Sequence, residues 1–198
     1  MIGSESKVTQ FVVYDFDPHN LPPEYLRAIG LVVASSAQTE HVLQDFIGAL
    51  LGIDNIQTVA LTSQMSFPLK NDIIGALAEL DAPNINELDK IDDLLEAASK
   101  AMDKRNIVAH NNFMRNPDTG QVYSHRLRAK GSIKLDLKPI SVVEIQQIAE
   151  EIYKAGMDIM SFMISRKLES RVRTAPMRET INRGKRAREE RCPKAKDE

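Results

Sequence analysis

The sequence predicts a mainly α-helical fold, an up-and-down four-helix bundle with a small β-hairpin inserted between helices three and four. Three observations lead there. Apolar residues recur at spacings of three and four in three long stretches, the period of a helix with one buried face. Proline, asparagine and serine stand at the starts of those stretches, where helices are opened and capped. Residues 112–139 break the rhythm with alternation and turn residues, which read as strands.

The elements follow in order. No element is assigned to residues 1–20, where Phe11-Val12-Val13-Tyr14 suits either an edge strand or a docking arm. Pro22-Pro23-Glu24 opens a first helix over residues 22–51, with a seam of Ile29, Val33, Ser36, Glu40, Leu43, Ile47 and Leu50 and with Gly52 as its stop. A polar loop follows. Phe67-Pro68 leads into a shorter helix over 68–80, with Ile73, Ile74, Leu77 and Leu80 facing inward. The third helix starts at Asn84 or Asn86 as cap and runs to about Asn111, its seam being Leu88, Ile91, Leu95, Ala98, Met102, Arg105 and Ala109. Asn116-Pro117-Asp118-Thr119-Gly120 is a turn between two short strands, and Ile133-Lys134-Leu135-Asp136-Leu137 alternates as a third. Ser141-Val142-Val143-Glu144 is a capping box that opens a fourth helix to about Lys167. That helix has two apolar stripes: Ile145, Ile148, Ile152, Ala155, Ile159 and Phe162, then Ala149, Tyr153, Gly156, Met160 and Met163. So broad an apolar surface calls for a central place in one bundle or for a dimer contact.

These elements divide the chain into an N-terminal arm (1–20), a helical bundle (21–168, with the hairpin at 112–137) and a basic C-terminal tail (169–198). Apolar runs fall short of the ~20 residues a bilayer span needs, and the start lacks the basic-then-apolar pattern of a secretory signal. One cysteine, Cys192, allows no internal disulfide. The expected setting is the cytoplasm. The formal charge of −2 is uneven: residues 166–198 hold 12 Lys+Arg against 6 Asp+Glu, and residues 1–165 hold 14 against 22. Arg178, Arg183, Lys185, Arg186, Arg188 and Arg191 make the tail a candidate for gripping a phosphate backbone. The plainer alternative is a solvated extension of mixed charge.

Two charges interrupt apolar seams. If helices one and three run parallel, Glu40 and Arg105 lie at similar heights and an ion pair between them is expected, since an unpaired charge in a core costs several kcal/mol. His110 follows Arg105 by five positions where Asn111-Asn112 mark the end of the helix, so a frayed end would set its imidazole beside the guanidinium. Histidine as a class moves protons near neutral pH and arginine offers a cationic fork for phosphate. That pairing suits metal-independent RNA scission: a general acid/base acts on the 2′-hydroxyl or the leaving oxygen, and a guanidinium steadies the charged phosphorane. Asn106 is placed to orient either group. No cofactor or metal is called for. No Glu-x-x-His pair, glycine-rich phosphate loop or nucleophile signature occurs, and the few aromatic residues form no stacking platform.

The run Arg105-Asn106-Ile107-Val108-Ala109-His110 at a helix end resembles the HEPN superfamily, whose hallmark is an arginine, four to six residues, then a histidine, often with a polar residue after the arginine. Residues 37–41, Ala-Gln-Thr-Glu-His, are similar to the first helix of small bacterial members. The resemblance covers roughly residues 22–167. It implies a four-helix bundle, a homodimer with the two motifs facing each other, and often endoribonuclease activity in toxin–antitoxin, phage-defence or RNA-processing settings, with RNA and an antitoxin or effector protein as partners. The hairpin after His110 departs from that pattern. The family also holds members that only bind or scaffold. The rival expectation is therefore a non-catalytic helical interaction module in which Glu40–Arg105 is structural.

Overall fold

A computed structural model describes residues 13–81, 84–129 and 133–169. Among the described residues there are five α-helices, not four: α1 (Pro23–Leu51), α2 (Asn55–Thr62), α3 (Phe67–Asp81), α4 (Ile85–His110) and α5 (Val142–Ser165). Strands β1 (Asn112–Arg115), β2 (Val122–Ala129) and β3 (Ile133–Pro139) form one antiparallel sheet in chain order.

The helix ends follow local chemistry. Gly52, left-handed at φ 61°, stops α1 and donates its N–H back to the Ala49 carbonyl. Residues 52–66, expected to be a polar loop, contain α2, because Asp54 accepts from the Ile56 and Gln57 N–H groups while Gln57 returns the bond. Asn84 caps α4 through the Glu87 N–H. The Ser141–Glu144 box opens α5 as expected, and its hydrogen bonds hold the Glu144 carboxyl below the usual carboxylate range.

α2 sets the topology. It folds back along α1, with Thr58 over Gly48, so α3 restarts part-way down α1 instead of descending from its end. α3 and α4 are antiparallel: Phe67 shares a cavity with Met102 and Arg105, while Asn71, farther along α3, donates to the Leu95 carbonyl (3.1 Å). α4 and α5 are antiparallel too, tied by Lys104–Glu151 and by Glu87–Arg166. α1 and α5 run parallel, from Tyr25 donating to the Ile140 carbonyl (3.0 Å) through Thr39 at Ile152 to Phe46 against Phe162 (centroids 6.1 Å apart). Hence α1 and α4 are antiparallel, and the expected parallel relation is corrected. A hidden reversal through α2 changed the count.

The core is made by Leu43, Phe46, Ile47, Ile74, Ile145, Ile152 and Ile159, all fully buried. The inward stripes differ locally from the expected seams. Val32 is buried and Val33 exposed; Ala78 replaces Leu80, and Val108 replaces Ala109. Of the second stripe on α5, Ala149, Gly156 and Met163 are covered, whereas Tyr153 and Met160 are exposed. α1 approaches α5 closely at Gly156: a Cβ there would lie 2.7 Å from Thr39 Oγ1 and 3.2 Å from its Cα. Thr39 shares its hydroxyl between the Ser35 and Ile152 carbonyls, both at 3.0 Å. Gly156→Ala should therefore cost about 1–3 kcal/mol by overpacking, measured in urea. A wild-type midpoint would show that the two helices can move apart freely.

The sheet lies at the end of the helices where α4 stops and α5 starts. The arm joins it, because Asp15 and Arg115 exchange both backbone hydrogen bonds at 2.9 Å. Tyr14 packs edge-on against Tyr123. Phe11 and Val12 lie outside the described residues, as does the tail from residue 170 onward. β1 pairs with residues 122–125 of β2, so beyond His125 the β2–β3 pair continues as a two-stranded ribbon.

Candidate functional site

Glu40, Arg105 and Asn106 line one cavity of about 320 Å³, with Phe67 and Pro68 from α3 and Ser99, Met102 and Asp103 from α4. The expected Glu40–Arg105 pair is corrected within that cavity. Glu40 Oε2 is 3.2 Å from Lys70 Nζ, and the Lys70 side chain is only 2% exposed while Glu40 keeps 35%. α3 lies against α1 at this level, so its ammonium reaches Glu40 first. Lys70 is the residue that sequence reasoning missed. Its signal was the same as that of Glu40: it stands four before Ile74 and seven before Leu77, a charge on an apolar stripe.

Arg105 is half-buried. Its Nη1 donates to Asn106 Oδ1 (3.3 Å), and its Nε is buried with no hydrogen-bond partner. The guanidinium is thus turned toward Asn106 and keeps unused donor capacity in a cavity open to solvent.

His110 is placed differently from expectation. α4 stays helical through His110 and is capped by Asn111 in extended conformation, so there is no frayed end. Five helical steps put His110 about 140° around the axis from Arg105. It is exposed, and the lining of the Arg105 cavity does not include it. Asn106, four residues before, is only about 40° from it on the same exposed strip. Arg105 reaches Asn106 by hydrogen bond, and Asn106 lies one turn below His110.

A second cavity, about 260 Å³, lies where the end of α4 meets the sheet and the start of α5. Ile107 and Asn111 of α4 wall it, with Glu144 and Ile148 of α5 and Ser124, Arg126, Asp136 and Lys138 of the ribbon. Asn111 Nδ2 donates to Ser124 Oγ (2.7 Å), which fixes the sheet to the helix end, and Asn111 Oδ1 is buried without a partner. On the helical wheel His110 falls between Asn106 and Ile107. The lining of neither cavity includes it. Arg178, Arg183, Lys185, Arg186, Arg188 and Arg191, expected to bind phosphate, lie outside the described residues.

No protein-family model, curated protein or solved structure matches the chain. Among the described residues, no helix is long and apolar enough to cross a membrane.

Proposed function

We propose that the end of α4 is a metal-independent RNA-cleaving site. The observation that carries this reading is the continuous strip from the Arg105 guanidinium, hydrogen-bonded to Asn106, to the exposed His110 one turn beyond. His110 acts as general acid/base on the 2′-hydroxyl and the leaving oxygen. Arg105 receives the phosphate and steadies the phosphorane, and Asn106 orients the guanidinium. Glu40, held by Lys70, and Asp103 line the same cavity as Arg105. The Arg-x4-His resemblance to the HEPN superfamily supports the same chemistry, with RNA as partner and toxin, defence or RNA processing as the setting.

The test is incubation of mixed RNA with purified wild-type and His110→Ala protein in EDTA, reading 2′,3′-cyclic phosphate ends. Wild-type cleavage that vanishes in the variant is expected. A wild-type protein that leaves RNA intact overturns the proposal in favour of a non-catalytic interaction module. The placement of His110 outside the Arg105 cavity is the observation that favours that second reading.

The reading includes a homodimer, in which a second copy covers the exposed Tyr153, Met160 and Ile164 on α5. Sedimentation at micromolar concentration should show a dimer, and a monomer throughout the range removes this part.

A further inference from the structure

We infer that the β2–β3 ribbon is a track for an RNA strand, leading it to His110. The inference deepens the proposed function and rests on it for the identity of the nucleic acid.

Charge is the first observation. Residues 122–139 carry five Lys+Arg (Arg126, Arg128, Lys130, Lys134 and Lys138) against one acid, Asp136. The remainder of residues 1–165 holds 9 basic residues against 21 acidic ones. A basic segment on a body that is otherwise net acidic marks where a polyanion can approach.

Register is the second. Alternate residues of a strand share one face, and cross-strand partners stand on the same side. The pairs Ser124↔Lys138, Arg126↔Asp136 and Arg128↔Lys134 therefore belong to one face. The other face carries Leu127, Leu135 and Leu137. Arg126 and Lys138 thus stand on one side with Asp136, and both cations line the same cavity.

Placement is the third. The basic face is the one turned toward the helix ends, since Arg126 and Lys138 line the cavity walled by Ile107 and Asn111. His110 stands beside Asn111 in the chain, at the end of the helix that supplies Ile107 to that wall. A strand laid along the ribbon face is led to the end of α4, where His110 stands exposed. Binding by phosphate contact explains why an RNA-directed site here needs no aromatic platform.

The experiment uses the full chain and a fluorescein-labelled 20-nucleotide oligouridine carrying 2′-O-methyl groups, which cannot be cleaved. Binding is read by anisotropy between 50 and 200 mM salt for wild type, for Lys138→Glu and for the double variant Arg126→Gln/Lys138→Gln. Each lost phosphate contact on a single strand lowers the salt slope by about 0.7, so the double variant should bind about sixtyfold more weakly at 50 mM and about tenfold at 200 mM. Lys138 is exposed and faces Ser124 in the register, so Lys138→Glu keeps the fold and should also weaken binding. Affinity within twofold of wild type and an unchanged slope in both variants would overturn the track, as would a wild type that does not bind the oligonucleotide. The two proposals fail separately. Absence of cleavage with ribbon-dependent binding removes the chemistry and keeps the track, whereas His110-dependent cleavage with ribbon-independent binding does the reverse.

Discussion

His110→Ala should lower RNA cleavage by about 10²–10⁴-fold, the usual contribution of a positioned general acid/base. RNA affinity and thermal stability should stay near wild type. The reason is position: His110 is the exposed last residue of α4, and no core contact depends on it. Arg105→Lys gives the complementary result. Lysine keeps the charge but loses the planar fork and its hydrogen bond to Asn106, so cleavage should fall by about 10²–10³-fold, as when one donor to a developing oxyanion is lost. Rates at saturating RNA separate these losses from binding defects. Full activity in His110→Ala would refute the assignment of the acid/base, and full activity in Arg105→Lys would reduce Arg105 to a point charge.

Charge reversal at Glu40 is expected to be the most damaging single change to folding. Lys70 is sealed from solvent, and Glu40 is its ion-pair partner at 3.2 Å. Breaking a buried pair by removing one partner costs on the order of 3–5 kcal/mol, because the remaining charge stays buried and uncompensated. Glu40→Lys adds repulsion, while the partial exposure of Glu40 lets water screen some of it, so the same range is expected in urea. Adding Lys70→Met should recover most of the loss, since no buried ammonium remains and the stem volume is kept. If Glu40→Lys unfolds at the wild-type midpoint, Lys70 does not depend on Glu40. If the second change recovers nothing, the damage lies elsewhere in the cavity wall.

The sequence made the long helices legible because their signals are local: a three-four period, Asn84 and Ser141 as caps, Gly52 as a stop. α2 was missed although its Asp54–Gln57 capping box was in plain view, since eight polar-flanked residues show too little periodicity to outweigh a loop reading. That one omission reversed the inferred relation of α1 and α4. The residues of the site were legible one by one, and Glu40, Arg105 and Asn106 do share a cavity. Their arrangement was not, because pairing depends on which helix lies nearest, a tertiary fact that no spacing encodes. Arg126 and Lys138 were hidden for a related reason: alternation shows a strand, and only the register shows which face looks toward α4.

The close seam between α1 and α5 joins parts of the chain made far apart in time. Thr39 and Ile152 are 113 residues apart. At about 5–20 residues per second, a ribosome finishes Ile152 some 6–23 s after Thr39, so nascent α1 holds its apolar face without its main partner for that interval. α2 and α3, which emerge next and lie against α1, are the available early cover. Native closure must wait for α5, and any C-terminal truncation that removes it leaves that long non-local contact unmade.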